Sequence, residues 1–429
     1  LVGSEMCIRD RSVFMTLSEE LTARGFIYQF SAPTSAEILD GEKRTIYHGI
    51  DPSADSAHAG NFVVWMLLRH LAQSGHKVIF LVGGGTGMIG DPKPDSEREL
   101  KPEVEIDQNV AKLKTQAERF IADGSVNIQF VNNKDWLGSE TLIGFLRDIG
   151  KHFTVNELIK KDAIARRLAS DTGLSYTEFA YPLLQGYDYL VLNRRFGCDV
   201  QVGGSDQWGN IVSGVDLIRR KEKRTAYAIT VPLIIDKATG KKFGKSEGNA
   251  VWLDPEKTSP YEFYQFWLGA SDESVGDYLR LFTFLTLEDI SLIEAEHRAE
   301  PAKRLAQKRL AAAATTLVHG EVVVKSVERV TEALFGTTVT FAEISLDLQN
   351  SGVVIHPVAA GVLVLEVLLA TNLVESKREA RTFIESGAIM IDSSVVTSVD
   401  DVINRDPNST AGIYILKRGK KMRVFIKVS

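Results

Sequence analysis

The first half of the chain alternates short, fully apolar runs with longer runs of helical periodicity. "RTIYHGI" and "KVIFLV" are short and rich in β-branched and aromatic residues, and "FVVWMLLRHLAQSG" between them is long enough for a helix. Strand, helix and strand in this order predict a parallel βαβ unit. "VNIQFVNN" and "CDVQVGG" predict further strands, separated by helical runs. We therefore expect an α/β fold with a doubly wound parallel sheet up to about Ile235.

Other patterns predict the elements outside this sheet. Near the start, "SEELTARGF" predicts a short helix with Ser18 as N-cap and Gly25 at its end. Past Pro260, runs such as "SPYEFYQFWLGA" and "LEDISLIEAEHRAE" predict helices without strands between them. We expect an irregular connection from Thr338 to His356. A basic amphipathic helix in "ESKREARTFIESG" and a strand follow, and the chain ends in the basic run "KRGKKMRVFIKVS".

Composition narrows the class of protein. With 429 residues the chain is too long for one core, so we expect two or three domains. The longest apolar run, "GVLVLEVLLA", is short and contains Glu366, which argues against a membrane span. A net charge of −6 argues against a uniformly basic nucleic-acid surface, although a local patch remains possible. The two cysteines, Cys7 and Cys198, indicate a reducing, cytoplasmic setting.

The first fourteen residues, "LVGSEMCIRDRSVF", differ in character from the rest. They do not begin with methionine, and their apolar stretch is too short for a signal peptide. Our hypothesis is that residues 1–14 are a non-native leader translated from adapter sequence and that the gene begins at Met15. The alternative is a genuine N-terminal extension.

The glycine-rich stretch "GGGTGMIGDP" has two interpretations. Gly85, Gly87 and Gly90 satisfy the G-x-G-x-x-G pattern of dinucleotide-binding proteins. Against that interpretation, Pro92 and Pro94 interrupt the helix that should follow at once. The other interpretation is a tight turn at the carboxyl end of a strand, which still brings Asp91 to the crevice where such sheets bind ligands.

A second glycine-rich stretch, "TGKKFGKS", resembles a phosphate-binding loop but lacks its spacing. Gly240 and Gly244 enclose three residues where the G-x-x-x-x-G-K-[ST] pattern requires four. A nucleotide hydrolase with that motif is therefore not indicated. What remains is a loop with a permissive backbone that carries Lys241, Lys242 and Lys245. Unless a partner site exists elsewhere, such a run is an ordinary solvated segment.

The stretch "DPSADSAHAGN" supplies that partner. A helix after Asn61 would present its unsatisfied N–H groups and positive dipole end at "HAGN", and such helix ends bind anions. Ala59 and Gly60 leave room for a bulky ligand, while His58 and Asn61 offer hydrogen-bond donors. The alternative is that His58 is only a structural cap.

Taken together, these motifs resemble a known enzyme family. "HAGN" and "KFGKS" are similar to the two signatures of class I aminoacyl-tRNA synthetases. "YHGIDPSADSAHAGN", "LVGGGTGMIGDP", "FLRDIGKHFTVN", "SYTEFAYPLLQGYDYL", "QVGGSDQWGNI" and "KTSPYEFYQFW" resemble the bacterial tyrosyl-tRNA synthetases in particular, and in their order. The resemblance extends from about Ser18 to the C-terminus.

The resemblance implies an architecture and an activity. It implies a Rossmann-like catalytic domain at residues 15–257, an all-α anticodon-stem-binding domain at 258–337, a linker at 338–360 and an α+β S4-like RNA-binding module at 361–429. The family activates L-tyrosine with ATP, releasing pyrophosphate, and then transfers the tyrosyl group to the 3′ end of its tRNA. ATP with Mg²⁺ is then a substrate, with no protein-bound metal or organic cofactor, and the partners are tRNA and a second subunit of a cytoplasmic homodimer.

The resemblance also implies roles for individual residues. Those for the tyrosine substrate are Tyr47, Asp91, Tyr181, Gln185, Asp188, Gln201 and Gln207. Those for ATP are Gly49, Asp51, Ser53, His58, Gly60, Gly204, Asp206, Lys245 and Ser246. The residues that act on the phosphates during the reaction are His58, Asn61, Arg98, Lys242 and Lys245. Those for tRNA are Lys377, Arg378, Arg381, Lys417, Arg418, Lys420 and Lys421.

Two departures and two alternatives remain. Asn61 stands where the commoner signature has histidine, and His48 stands where many family members have cysteine near the ribose. The nearest alternative is a tryptophanyl-tRNA synthetase, against which Tyr47 and Asp188 favour a phenol over an indole. The other alternative is an RNA-binding protein that has lost catalysis, against which the retained His58, Lys242, Lys245 and Asp188 argue.

Overall fold

A computed structural model describes most of the chain as helices and strands. The described residues are 15–93, 96–122, 128–171, 173–238, 240, 243, 245–246, 249–335, 345–392, 394–405, 412–419 and 422–429. The helices there are α1 Leu17–Arg24, α2 Ser35–Leu39, α3 Ala59–Gln73, α4 Glu103–Ala117, α5 Lys134–Leu137, α6 Leu142–Asp148, α7 Val155–Leu158, α8 Asp162–Leu168, α9 Tyr176–Phe196, α10 Trp208–Glu222, α11 Pro260–Leu268, α12 Val275–Phe282, α13 Leu287–Ala299, α14 Leu305–His319, α15 Glu321–Phe335, α16 Ser345–Ser351, α17 Val364–Ala370 and α18 Lys377–Glu385. The strands are β1 Gln29–Phe30, β2 Thr45–Ile50, β3 Lys77–Val82, β4 Ile128–Asn132, β5 Val200–Gly204, β6 Tyr227–Val231, β7 Lys245–Ser246, β8 Asn249–Ala250, β9 Ile355–Val358, β10 Val362–Leu363, β11 Ile389–Ile391, β12 Ser394–Val395, β13 Val402–Ile403, β14 Ile413–Arg418 and β15 Met422–Val428.

The chain divides into two compact units. The first runs to Trp252 and also contains Ser271–Ala306, whereas the second consists of Leu253–Ala270 and Gln307–Ser429. The helical segment expected at 258–337 is thus shared between the units. Its boundary as a separate domain stays a prediction.

A six-stranded sheet forms the centre of the first unit, in the order β1-β6-β5-β2-β3-β4. Five strands are parallel, and only the edge strand β1 pairs antiparallel, with β6. Because β2 lies between β5 and β3, the order of the strands runs outwards from β2 towards both edges of the sheet. The doubly wound prediction is confirmed, and a ligand crevice is expected at the carboxyl ends of β2 and β5.

The register of β2 brings together residues that are far apart in sequence. Tyr47 pairs with Gln201 on β5 and with Ile79 on β3. Tyr47, Ile79 and Tyr189 belong to one buried apolar cluster, in which the rings of Tyr47 and Tyr189 are 5.1 Å apart. A cluster of this kind fixes the position of the Tyr47 ring.

Two helix starts differ from the sequence prediction. Ser18 is not the N-cap of α1: Thr16 Oγ1 accepts a hydrogen bond from the Glu19 amide, and the Glu19 carboxylate accepts one from the Thr16 amide. This reciprocal pair satisfies two amides at once, while the Ser18 hydroxyl donates to Asp40 instead. α3 begins at Ala59, with His58 as its N-cap, rather than after Asn61.

A five-stranded sheet, in the order β12-β11-β14-β15-β9, forms the core of the second unit. Neighbouring strands are antiparallel except β15 and β9, which are parallel. α17 and α18 contribute Leu368, Ala380 and Ile384 to a buried cluster with Leu416 and Ile426. The expected helix is present, and Gly387 after it has φ of +67°.

The prediction of an irregular connection from Thr338 to His356 is wrong in its described part. α16 occupies Ser345–Ser351, and β9 begins at Ile355. Leu348 packs with Val330 and Phe425, so this short helix is held by a core rather than by its own periodicity. Residues 336–344 lie outside the described part of the chain. Across the described helices, none combines the length and apolarity needed to cross a membrane.

Candidate active site

A cavity of about 500 Å³ lies in the first unit, at the carboxyl ends of β2 and β5. Sixteen residues that the sequence nominated for substrate or phosphate contacts line it, and the rest of the lining is largely apolar. The sixteen are Tyr47, Gly49, Asp51, Ser53, His58, Gly60, Asn61, Asp91, Arg98, Tyr181, Gln185, Asp188, Gln201, Gly204, Asp206 and Gln207. The structure thus brings them to one cavity, while their individual roles stay predictions.

The predicted lysine loop is only partly described. Lys242 lies outside the described residues, and of Lys245 and Ser246 only the backbone is described, as β7. That strand pairs with β8, where Ala250 also lines the cavity. The chain around the predicted loop therefore reaches the cavity.

We call the part of the cavity formed by Tyr47, Asp188 and Gln201 the buried end. Each of these residues is at most 3% exposed. The Tyr47 hydroxyl and Gln201 Oε1 have no hydrogen-bond partner among the described residues. Burial raises the pKa of Tyr47 well above its usual value, as does nearby Asp188, so its hydroxyl remains a donor. Buried polar atoms are normally hydrogen-bonded, so these two atoms are placed to bind a polar group of a ligand.

Asp188 is held by two side chains that the sequence prediction missed. Trp136 Nε1 donates to one carboxyl oxygen at 2.7 Å, and Asn133 Nδ2 donates to the other at 2.9 Å. Burial raises the pKa of Asp188 to about 7, although both hydrogen bonds lower it. The signal was present in "VNNKDW", since these residues follow directly after β4, at the same edge of the sheet.

Asn133 links the buried end to a second carboxylate. Its Oδ1 accepts from the Gly85 amide, and its Nδ2 also donates to Thr86 Oγ1 at 2.8 Å. Thr86 in turn donates to Asp51 at 2.8 Å. The glycine turn after β3 is therefore part of the wall of the cavity, as the second interpretation of that stretch predicts.

Three acidic side chains meet in the cavity, with different partners. Tyr181 donates its hydroxyl to Asp51 at 2.8 Å, not to Asp91. Asp91 accepts from Gln207 at 3.0 Å and from Asn210 at 3.2 Å. Burial raises the pKa of Asp91 to about 6, and the charge of Asp51 adds to this. A cation bound between Asp51 and Asp91 would relieve their mutual repulsion.

We call the part formed by His58, Gly60 and Asn61 the helix end. The Gly60 amide donates to His58 Nδ1 at 3.0 Å, and the His58 amide donates to Asn61 Oδ1 at 3.1 Å. Because His58 Nδ1 accepts, the proton of its ring is on Nε2. A Cβ on Gly60 would lie 2.8 Å from the His58 ring. The cap thus positions one imidazole N–H and one amide group beside the start of α3.

The rim between these ends carries His48, Gly204 and Asp206. His48 Nδ1 lies 3.1 Å from the carbonyl oxygen of Val202. A carbonyl oxygen can only accept a hydrogen bond, so the ring proton is on Nδ1, and Nε2 of His48 is an acceptor. Burial lowers the pKa of His48 to about 4, and the ring is neutral at physiological pH. A Cβ on Gly204 would lie 2.5 Å from the Asp206 carboxylate, so a larger residue there would displace the Asp206 side chain.

The predicted tRNA residues lie in the second unit and differ in their availability. Lys377, Arg378 and Arg381 on α18 are exposed. Arg418 on β14 donates to Glu379 at 2.8 Å and stacks over Phe383, and Lys417 donates to the carbonyl of Asp392. Lys420 and Lys421 lie outside the described residues. In the part that is described, no cluster of His, Cys, Asp and Glu has the arrangement of a metal site.

Comparison with known protein families gives two matches. A model described as "tRNA synthetases class I (W and Y)" matches residues 39–336, and the model of the tyrosine–tRNA ligase SYY-like C-terminal domain matches residues 353–426. The first covers tryptophan and tyrosine enzymes alike, whereas the second is specific to tyrosine. Together they span both units.

Individual relatives agree with the tyrosine assignment. The chain is 44% identical to the tyrosine–tRNA ligase of Streptococcus mutans over 414 residues, covering 95% of this chain and 98% of that protein. It is 46% identical to that of Dechloromonas aromatica, covering 94% and 97%. The structure of a C-terminally truncated mitochondrial tyrosyl-tRNA synthetase from Aspergillus nidulans matches with a TM-score of 0.66 at 30% identity, covering 74% of this chain and 94% of that one.

Proposed function

The chain belongs to the tyrosine–tRNA ligase family of class I aminoacyl-tRNA synthetases, and from that premise we propose how its described residues carry out the family reaction. Its activity is the joining of tyrosine to tRNA, with ATP as co-substrate. The tyrosine carboxylate attacks the α-phosphate of ATP and displaces pyrophosphate. The tyrosyl group then passes from the adenylate to the 3′-terminal ribose of the tRNA, and AMP leaves. No enzyme nucleophile is required, so catalysis is positioning and charge stabilisation.

The buried end recognises the phenol. Tyr47 donates its unpaired hydroxyl to the phenol oxygen, and the phenol donates its own proton to Asp188. Asn133 and Trp136 keep the Asp188 carboxyl oriented, while Gln201 lines the same wall. A phenylalanine substrate would leave the Tyr47 hydroxyl without an acceptor and the Asp188 carboxylate without the phenol donor. Tyrosyl-tRNA synthetases are themselves the standard example of this discrimination.

The carboxylates of Asp91 and Asp51 form the part of the cavity that receives the substrate ammonium. Asp91 is its direct partner, and Tyr181, Gln185 and Gln207 complete the surroundings. Burial raises the pKa of Asp91, and an ammonium beside it would lower that pKa again. Asp51 supports this end through Tyr181, in addition to the ATP contact expected from the resemblance.

The helix end and the lysine loop handle the phosphates. His58 Nε2, the Asn61 side-chain amide and Ser53 face the α-phosphate at the positive end of α3. Arg98, Lys242, Lys245 and Ser246 act on the departing pyrophosphate, and ATP enters as its Mg²⁺ complex. Gly49, Gly60, Gly204 and Asp206 accommodate the nucleotide, with Asp206 on the ribose. The support for this arrangement is that the helix start and the buried carboxylates open into the same cavity.

The second unit holds the tRNA. Lys377, Arg378 and Arg381 are placed to contact phosphates directly because they are exposed. Lys417 and Arg418 contribute charge from positions already fixed by Asp392 and Glu379. Lys420 and Lys421 extend the same basic segment in the sequence. Phosphate contacts of this kind weaken as the salt concentration rises.

The protein works as a homodimer in the cytoplasm. α6 has no buried residue, yet its apolar Leu142 and Ile143 are 71% and 74% exposed. Val155 on α7 and Tyr176 on α9 add exposed apolar surface along the same segment of chain. Exposed apolar side chains on successive helices fit a surface that binds another protein chain. The family resemblance identifies that partner as a second copy.

The observation that carries the proposal is the unpaired Tyr47 hydroxyl beside Asp188. The experiment is amino-acid-dependent exchange of labelled pyrophosphate into ATP, for the native protein and for Tyr47→Phe. We expect tyrosine alone to support exchange, and Tyr47→Phe to raise the tyrosine KM by about tenfold, the effect of one lost hydrogen bond. Tyr189→Phe is the matched control, because its buried hydroxyl donates to the carbonyl of Tyr227 instead. Exchange that depends on tryptophan, or no exchange, would contradict the proposal.

A further inference from the structure

A buried ion pair lies behind the cavity and lines no part of it. Arg167 on α8 is 0% exposed, Glu178 at the start of α9 is 2% exposed, and Arg167 Nη2 lies 3.1 Å from Glu178 Oε2. A buried ion pair contributes little net stability, because the loss of hydration offsets the attraction. Its contacts therefore need another explanation.

Besides its ion pair with Glu178, the Arg167 guanidinium holds three backbone carbonyl groups. Nη1 donates to the carbonyl oxygens of Lys93 at 3.1 Å and Ser96 at 2.6 Å. Nη2 donates to the carbonyl oxygen of Gly173 at 2.6 Å. A planar group with several fixed donors can hold these carbonyls at once, which a lysine ammonium cannot do in the same geometry.

Glu178 connects this arrangement to Arg98. Its Oε1 accepts a hydrogen bond from the Arg98 amide at 3.2 Å. The Arg98 side chain folds back, so that Nε donates to the carbonyl oxygen of Asp91 at 2.7 Å. Gly90 has φ of +83°, and a Cβ there would lie 3.0 Å from Arg98 Cγ. Arg98 is therefore fixed both at its backbone and along its side chain.

We propose that Arg167 and Glu178 form a positioning pair that sets Arg98 against the pyrophosphate of ATP. This inference rests on the proposed role of Arg98. The pair touches no substrate and acts through its hydrogen bonds with the backbone of Lys93, Ser96 and Arg98. The Asp91 carboxylate accepts hydrogen bonds from Gln207 and Asn210, so the ammonium site does not depend on the pair.

The test measures two quantities on Arg167→Lys and Glu178→Gln. One is the rate constant of adenylate formation in a single turnover, and the other is the dissociation constant of tyrosine at equilibrium. We expect the rate constant to fall by about tenfold to a hundredfold, the usual consequence of a displaced catalytic group. Tyrosine affinity should change little. Glu178→Gln keeps the shape of the side chain, so it provides the result if Arg167→Lys does not fold.

Arg24 provides the matched control. Its side chain is 4% exposed, donates to Glu20 at 2.9 Å and to the carbonyls of Arg280 and Leu285, and lies away from the cavity. Arg24→Lys should lower the melting temperature and leave the rate constant of adenylate formation unchanged. If it slows adenylate formation as much as Arg167→Lys does, the positioning role is contradicted.

A double-mutant cycle with Arg98→Ala separates the two proposals. If the pair acts through Arg98, adding Arg167→Lys to Arg98→Ala should cost much less than it does in the native protein. Equal costs in both backgrounds overturn the positioning role alone. If Arg98→Ala by itself leaves the rate constant unchanged, the proposed role of Arg98 fails, and the inference fails with it.

Discussion

The two ends of the cavity are held in place by different kinds of contact. At the buried end, side chains hold other side chains: Asp188 is fixed by Asn133 and Trp136, and Tyr47 by ring packing. At the helix end, backbone amides donate hydrogen bonds to the side chains of His58 and Asn61, and these two side chains form the cap of α3. The buried end therefore depends on several parts of the chain at once, whereas the helix end is nearly complete within four residues.

This difference predicts separable effects. A change at the buried end leaves a polar group without a partner where water cannot replace it, so it should weaken tyrosine binding. A change at the helix end alters charge beside the phosphates, so it should slow adenylate formation without affecting tyrosine binding. The predictions below test this separation.

Asp188→Asn should have the largest effect. The amide must turn its NH₂ group towards either Asn133 or Trp136, both of which donate hydrogen bonds to the native carboxylate. One of these two bonds is lost, and the phenol loses its charged acceptor; at about 2 kcal/mol each, the two losses cost about 4 kcal/mol, or nearly a thousandfold in kcat/KM for tyrosine. Pyrophosphate exchange measured against tyrosine concentration checks this, and an equal rise in the KM for ATP would show that the two ends are not separable.

His58→Asp tests the helix end with a residue that still caps a helix. Aspartate can accept the Gly60 amide as His58 does, so α3 should remain intact. The variant lacks the N–H donor and places a negative charge beside the α-phosphate. We expect adenylate formation to slow by about a hundredfold, with the tyrosine dissociation constant unchanged. A weaker tyrosine complex measured by equilibrium dialysis would refute the separation.

The pH dependence of tyrosine binding should report Asp91. Burial raises its pKa to about 6 in the empty cavity, and the substrate ammonium favours its ionised form. Binding therefore releases a proton below that pH, and affinity should fall as the pH falls. Burial raises the pKa of Asp188 to about 7, and accepting the phenol hydrogen bond favours its ionised form too, so the dissociation constant should rise by at least tenfold between pH 7 and pH 5. Titration calorimetry in buffers of different ionisation enthalpy measures the released protons, and Asp91→Asn should abolish the part that Asp91 releases.

The smallest effects are expected at Asn61. Asn61→Asp keeps the acceptor for the His58 amide and loses the donor, while Asn61→Ala loses both. Asn61→His should keep most activity, because an imidazole can also donate. Asn61→Ala also removes one hydrogen-bond donor to the phosphate, at a cost of about 1 kcal/mol, so adenylate formation should slow by about fivefold. Equal rates in all three variants would leave His58 and the helix start as the working parts.

Features carried by a short continuous segment could be predicted from the sequence. β2, α3 and β3 follow from apolar runs of distinct length, and the order of these elements predicts the parallel sheet. "HAGN" was sufficient to place a helix start and its donors in the cavity. The first turns of helices were less certain, because Thr16 and Ser18 are equally good caps in isolation.

Features that need tertiary contacts could not be predicted. Asn133 and Trp136 are more than fifty residues from Asp188 in the chain, and the pattern around them does not reveal which carboxylate they hold. The pairing of Tyr181 with Asp51 rather than Asp91 likewise depends on the turn at Thr86. α16 was missed because seven residues are too few for a clear periodicity.

The most direct test of the account is a crystal structure of the protein with a non-hydrolysable tyrosyl-adenylate analogue. The account predicts that the phenol oxygen lies within hydrogen-bond distance of both the Tyr47 hydroxyl and the Asp188 carboxyl. It also predicts that the group replacing the α-phosphate lies at the start of α3, beside His58. An analogue bound with its aromatic ring at the helix end, or with its phenol oxygen out of reach of Tyr47 and Asp188, would contradict it.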